Sequence, residues 1–312
     1  MNNRCLYCYK ELNDGLDFHR NCSMEFFGTK EVPELPYSLD QMSELAKNVV
    51  ERSVSVPGVQ AKLSLSLIKE AQRKNNRLTV VGALGGNYIF KPPNNDYPEM
   101  PQNEHATMRL AEAMGLKVVP SSLIRLQSGE LSYITKRIDR TPEGVKIHML
   151  DMFQLTEAYD KYKSSMEKIG KAISKYSDNT LLDLLYFFEL TIFSFLTGNN
   201  DMHLKNFSLI NSSFGWILSP AYDLLNVSVL NPKDKEELAL PIDGKKNKLK
   251  RMHFELFGSS LGLNSKQISG VFNRYQEHSP IVESIIDQSF LSIEMKSKYL
   301  KLFHDRHAVL FL

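Results

Sequence analysis

Asp201, Asn206 and Asp223 are the residues whose types and spacing first suggest chemistry. They stand in Gly198-Asn-Asn-Asp-Met-His-Leu-Lys-Asn-Phe-Ser208 and in Ser219-Pro-Ala-Tyr-Asp-Leu-Leu225. An Asp and an Asn with four residues between them suit phosphoryl transfer. The carboxylate takes the proton of an acceptor hydroxyl, and the amide oxygen holds magnesium on the phosphates. Such pairs also arise by chance, so the company they keep matters. Asp201, His203, Lys205 and Asn206 crowd a short loop between two apolar runs. A buried loop of that kind is costly unless a ligand satisfies it. Asp223 follows at a distance that fits one β-hairpin, with strands Phe207–Ile210 and Trp216–Leu218, and is suited to be a second metal-binding carboxylate.

A second constellation lies at the start of the chain. Cys5-Leu-Tyr-Cys8 and His19-Arg-Asn-Cys22 form C-x2-C and H-x2-C pairs, and every cysteine of the chain falls within them. Short paired spacings place two soft ligands on one turn, and two such pairs complete a tetrahedral zinc site. No open coordination position or nearby glutamate is evident, so the zinc would be structural. The alternative is three ordinary thiols in a mobile N-terminal segment. This segment lies outside the expected nucleotide site, so the rest of the chain is expected to hold together without its metal.

The elements that must position these residues are legible in outline. Pro33 to Pro36 reads as a linker, and a helix runs from Asp40 to about Arg52. Leu63-Ser-Leu-Ser-Leu67 alternates as a half-buried strand, preceded by a turn containing Gly58 that could cover phosphates with backbone N–H groups. Leu78–Gly82 and Tyr88–Lys91 read as strands, as do Val118–Arg125 and Glu130–Arg140. Lys91 closes an apolar strand, where burial demands an anionic partner and snorkelling to solvent is the alternative. Glu104 opens a helix over Gln102–Leu116, either complementing the helix dipole or orienting Lys91. Beyond Met149 the periodicity is mostly helical, with amphipathic helices at Lys266–Gln276, Ile281–Ser289 and Glu294–Leu310. Lys245–Arg251, the most basic run, reads as a solvated helix start or as a contact for phosphates or an acidic partner.

Length permits two lobes, and a net charge of +2 favours no polyanionic partner for the whole molecule. No apolar run reaches the roughly 18–20 residues of a membrane span. Asp183 and Glu189 interrupt the nearest one, Leu181–Leu196. Met1-Asn-Asn-Arg-Cys5 has no apolar signal region, which points to the cytoplasm.

Taken together, the motifs resemble the HipA-like serine/threonine kinases, toxins of bacterial toxin–antitoxin systems. The matching stretches are Ser55-Val-Pro-Gly-Val-Gln-Ala-Lys62, Tyr88-Ile-Phe-Lys91, Asn103-Glu-His105, Lys136-Arg-Ile-Asp-Arg140 and the two that carry Asp201 and Asp223. The compact form, with Lys161–Glu167 and Glu237–Pro241, is similar to the HipT branch, in which a separate small protein replaces the N-terminal subdomain of the longer toxins.

The resemblance implies an α+β, two-lobed kinase-like fold. A zinc-knuckle-like segment (residues 1–32) would precede a small β-rich N-lobe (33–136) and a mostly helical C-lobe (137–312). It further implies ATP under the loop of Pro57, Gly58, Val59, Gln60, Ala61 and Lys62, Lys91 on the phosphates, and the adenine beside Lys136, Arg137 and Ile138. Asp201 would be the catalytic aspartate, and His203, Leu204, Lys205, Asn206, Tyr222 and Asp223 would contact ATP. Asn206 and Asp223 would hold Mg2+. Ser55 matches a position autophosphorylated in the family, and Ser53 repeats the hydroxyl two residues upstream; the plainer role for both is to hydrogen-bond the turn. The implied partners are an antitoxin with a DNA-binding domain, so that DNA is met only indirectly, and a protein substrate such as an aminoacyl-tRNA synthetase. The Cys/His cluster is outside the family pattern. Two further readings stay open: a catalytically silent kinase-like scaffold for protein or nucleic acid, and an enzyme that uses ATP in another way.

Overall fold

The computed structural model describes residues 3–12, 15–52, 62–68, 76–81, 85–94 and 96–312, with residues 46–52 as backbone only. Ser53, Ser55, Pro57, Gly58, Val59, Gln60 and Ala61 therefore lie outside the described residues. The chain divides into two compact units. The first comprises Met1–His105, Val119–Lys146 and Gln288–Phe290; the second comprises Ala106–Val118, Ile147–Asp287 and Leu291–Leu312.

The first unit is built on an antiparallel sheet of β1 (Leu63–Ile68), β2 (Arg77–Val81), β3 (Tyr88–Lys91), β4 (Ser121–Arg125) and β5 (Leu131–Lys136), in the order β2-β1-β3-β5-β4. The alternation of β1 sets its face: Leu63 and Leu65 are buried, whereas Ser64 and Ser66 are only half-buried. Pairing of Leu63 with Phe90, Leu65 with Tyr88, and Phe90 with Ile134 aligns these side chains into one apolar layer. Two helices supply that layer's partners, α1 (Arg20–Phe27) through Phe26 and Phe27 and α2 (Leu39–Arg52) through Met42.

The N-terminal residues belong to this same core. Cys5, Leu6 and Phe18 are buried against Leu123 and Ile124. Leu6 O accepts hydrogen bonds from Leu123 N–H (3.2 Å) and Ser122 Oγ (3.3 Å). Asp17 pairs with Arg125 at 2.9 Å. The segment is thus packed into the core of the first unit.

In the second unit, α3 (Met100–Ala113), which starts in the first, continues to its end. There follow β6 (Met149–Asp151), α4 (Met152–Leu155), α5 (Met166–Tyr176) and α6 (Thr180–Leu196). The hairpin β7 (Ser208–Ser212) and β8 (Gly215–Leu218) pairs with β6 in the order β6-β7-β8. The helices α7 (Val227–Leu230), α8 (Arg251–Ser260), α9 (Ser265–His278), α10 (Ile281–Gln288) and α11 (Ile293–Phe311) complete the chain. The central helix is α6, buried along most of its length, with Phe187, Phe188 and Phe195 stacked against Phe254 and Phe257 of α8. Its two acidic residues are anchors. Asp183 accepts hydrogen bonds from Ser177 Oγ and Leu218 N–H, both at 2.6 Å, and Glu189 pairs with Arg274 of α9.

One element departs from its sequence reading. Lys245–Arg251 starts a helix only at its end, where Lys250 is the N-cap of α8 and Arg251 its first residue; Lys245 to Leu249 form turns instead. Asp243 and Lys248 have φ of 48° and 53°, which a right-handed helix cannot accept. The turns are tied to acidic neighbours, Lys246 to Glu236 at 3.1 Å and Leu249 N–H to Glu237 Oε2 at 2.8 Å. Among the described residues no helix is long and apolar enough to cross a membrane.

Candidate active site

The loop after α6 is placed by a tight exit. Gly198 has φ of 70°, and a Cβ there would stand 2.8 Å from both Asn226 Oδ1 and Leu302 Cδ2. Only glycine fits that approach without displacing its neighbours. Gly198 O accepts from Ser228 N–H and Ser228 Oγ, both at 3.0 Å, so the loop is pinned from outside. Asn199, Asn200, His203 and Asn206 are all buried, whereas Asp201 is half-buried. Asn200 Nδ2 donates to Glu236 O at 3.0 Å, and Asp201 N–H donates to Asn199 Oδ1 at 3.4 Å. Burial holds the His203 imidazole down to about 4 despite the opposing pull of Asp201. Its neutral ring accepts from Lys205 N–H through Nδ1 at 3.3 Å.

A single turn, Leu204–Asn206, then brings Asn206 to face Asp223. Asn206 Nδ2 donates to Asp223 Oδ2 at 3.0 Å. Asn206 Oδ1 is buried with no hydrogen-bond partner. An unpaired buried amide oxygen beside a carboxylate is a donor set suited to a hard cation such as Mg2+. Asp223 itself is held at φ of 61°, a left-handed conformation that Asp tolerates better than most residues. Tyr222, immediately before it, lies within 2.6 Å of Ser208 Oγ and donates to Lys205 O at 3.0 Å. Its hydroxyl thereby ties the segment carrying Asp223 to the Asn206 turn. Leu204 is buried, whereas Lys205 is exposed with its ammonium over the Phe153 ring.

In the first unit, Lys91 is 3% exposed and its Nζ lies 2.5 Å from Glu104 Oε1, so the orienting role of Glu104 is the one the geometry contains. The ammonium also sits 5.3 Å from the centre of the Tyr133 ring. A buried Lys–Glu pair of this kind is a poor device for stability alone, because desolvation offsets most of the attraction. Lys136 Nζ donates to Glu25 O at 3.0 Å and lies over Phe26, so its side chain is directed to α1. Burial lowers its pKa, with Glu25 opposing. Arg137 is engaged with Asp139 at 2.7 Å, and Lys136 and Arg137 line a cavity of about 430 Å³ with Phe26, Ser66 and Tyr88. Ile138 is half-buried and Lys62 exposed.

Cys5, Cys8, His19 and Cys22 are brought together, their Sγ and ring nitrogen atoms all within 4.8 Å of one another. Burial and the neighbouring thiols push the Cys8 and Cys22 thiols up.

Tyr162 was not legible from sequence. Its hydroxyl donates to Asp201 Oδ1 at 2.6 Å, and its ring meets His203 edge-on at 5.0 Å. The surrounding Glu157–Ser165 segment has no hydrophobic period, and nothing in its residue types announces a contact 39 positions away.

Residues 54–282 match the HipA-like C-terminal domain family. A protein of Haemophilus influenzae called a putative kinase is 30% identical over 309 residues, spanning 89% of this chain and 88% of that one. The serine/threonine-protein kinase toxin HipA of Shewanella oneidensis is 25% identical over 232 residues, 67% of this chain and 52% of the toxin. The present chain thus aligns with about half the length of that toxin. The Shewanella oneidensis HipA chain solved with HipB and operator DNA superposes with a TM-score of 0.68 at 20% identity, covering 88% of this chain and 70% of that one. That likeness is one of fold, the mixed helix-and-strand architecture expected from the sequence. The chain belongs to the HipA-like C-terminal domain family.

Proposed function

We propose that this chain is an ATP-dependent serine/threonine protein kinase that acts as a toxin. The observation that carries the reading is the Asn206–Asp223 pair with its unpartnered buried oxygen, beside Asp201 on the same loop. Asp201 accepts the acceptor hydroxyl's proton as that oxygen attacks the γ-phosphorus, and the bridging oxygen departs with ADP. Asn206 and Asp223 hold Mg2+, which on binding would neutralise charge on the phosphate oxygens. Lys91, oriented by Glu104, binds phosphate. The loop Pro57–Lys62 covers the nucleotide, with the adenine beside Lys136, Arg137 and Ile138. His203, Leu204, Lys205 and Tyr222 fix the geometry of the loop around it.

The name of the Shewanella toxin and the HipB–DNA complex of its solved form support a toxin role with an antitoxin that carries the DNA-binding domain. We extend the reading to a cytoplasmic protein of the HipT type, completed by a separate small protein. Its acceptor is a translation component such as an aminoacyl-tRNA synthetase. Ser53 and Ser55 are its autophosphorylation sites, where added phosphate would repel the ATP triphosphate.

Incubation with γ- or α-labelled ATP, Mg2+ and a bacterial lysate tests the chemistry. Label should pass from γ-labelled ATP alone, and Asp201→Asn should lower transfer by about 10²–10⁴-fold while nucleotide still binds. Asp223→Asn should instead weaken Mg2+-dependent nucleotide binding. Transfer from α-labelled ATP, or full activity in Asp201→Asn, would sink the reading.

A further inference from the structure

The N-terminal segment buries more than its secondary structure can organise. Cys5 and Leu6 are fully buried, yet residues 3–12 contribute one isolated bridge, Arg4 with Glu11. The helix α1 is eight residues long, and its N-cap residue His19 makes no side-chain capping bond. The reason is that the imidazole is committed elsewhere. Its Nδ1 lies 3.4 Å from Cys8 Sγ and 3.7 Å from Cys22 Sγ, while Nε2 lies 2.9 Å from Glu11 O.

These distances are those of a coordination sphere. Bonds of about 2.3 Å to sulfur and about 2.0–2.1 Å to nitrogen at tetrahedral angles separate sulfur from nitrogen by about 3.5 Å. A ligating histidine also gives its second ring N–H to a carbonyl or carboxylate, which fixes tautomer and orientation, and Glu11 O is placed for that. Three thiols cannot pair into disulfides without leaving one over, and all three are free. Three soft sulfurs and one imidazole select Zn2+ among common divalent ions.

The position of the cluster decides what such an ion would do. Cys5 and Cys8 bracket Leu6, whose carbonyl is bonded to β4, and Tyr7, whose hydroxyl donates to Glu25 Oε1 at 2.7 Å. His19 and Cys22 open α1, which carries Phe26 and Phe27 into the core and presents Glu25 O to Lys136. We propose that Cys5, Cys8, His19 and Cys22 bind one Zn2+ ion, and that this ion clamps the N-terminal segment and α1 onto the sheet that carries Lys91 and Lys136. The ion is part of the unit's fold, and the proposal does not depend on phosphotransfer.

Elemental analysis of the full chain, purified without chelator under reducing conditions, should give one zinc per chain. Co2+ in its place should give thiolate-to-cobalt charge-transfer absorption and the d–d bands of a tetrahedral site. Cys8→Ser should weaken metal binding tenfold or more, lower the melting temperature and speed amide exchange at Leu6 and Leu123. His19→Cys, which keeps a four-ligand set, should retain both metal and protection. Should Cys8→Ser give no folded protein, chelator titration of the wild type reads the same exchange and melting signals. Metal-free wild-type protein with unchanged melting and exchange would overturn the proposal, as would a cobalt spectrum without thiolate charge transfer.

Discussion

The Tyr162 hydroxyl donates a 2.6 Å hydrogen bond to Asp201 Oδ1. Under the proposed mechanism it stands where an acceptor hydroxyl would deliver its proton. The contact is local and displaceable: Tyr162 is 40% exposed, and its turn is held by Tyr162 N–H to Asp160 Oδ1 at 2.9 Å. Burial, and after it the bond to Asp201, raises the Tyr162 phenol well above its ordinary value, so the proton stays on the tyrosine. Any protein acceptor must exchange one O–H···O⁻ bond for another. Tyr162→Phe should then raise phosphotransfer several-fold, with nucleotide affinity unchanged. Initial rates and nucleotide titrations on both proteins check this, and equal rates would mean that the phenol yields at no cost.

The buried Lys91–Glu104 pair separates stability from function. Glu104→Gln leaves an ammonium in the core without its carboxylate and should cost about 3–5 kcal/mol of stability. Lys91→Met combined with Glu104→Leu should recover most of that loss, since paired apolar replacement of a buried ion pair is often neutral. The double variant should nonetheless bind ATP poorly. Denaturant unfolding and nucleotide titration measure the two effects independently.

Asp183 predicts a stability effect remote from chemistry. Its Oδ2 holds Ser177 Oγ and Leu218 N–H, so one carboxylate oxygen fastens the entry of α6 to the end of β8. Asp183→Ala leaves a buried amide and a buried hydroxyl short of their acceptor and should destabilise the protein by about 2–4 kcal/mol. Because β7 and β8 lie between Asn206 and Asp223, the same variant should loosen Mg2+-dependent nucleotide binding. Chemical denaturation with and without ATP and Mg2+ would report both.

The features readable in advance were those whose signal is local. β1 and β3 followed from alternation and turn residues, α6 from a long apolar run, and the β7–β8 hairpin from a Gly-containing turn. The meeting of Asn206 with Asp223 followed from the length of that hairpin. What stayed hidden depends on contacts distant in sequence. Asp183 and Glu189 read as interruptions of an apolar helix, because the partners that justify their burial, Leu218 and Arg274, lie 35 and 85 residues away. Lys245–Arg251 has helical composition but is governed by two positive-φ residues, Asp243 and Lys248. The Cys/His spacing announced the meeting of Cys5, Cys8, His19 and Cys22, whereas the packing of Leu6 against β4 had no counterpart in the spacing.

That pairing of Leu6 with Leu123 bears on the order in which the chain is made. The segment from Cys5 to Cys22 is complete within a short stretch of synthesis and can close on itself locally. Its docking surface on β4 is translated more than a hundred residues later. At about 5–20 residues per second the apolar residues Leu6, Phe18, Phe26 and Phe27 therefore spend several seconds on the ribosome before their sheet exists. During that interval the proposed zinc would tie Cys5, Cys8, His19 and Cys22 together before β4 is available to the segment.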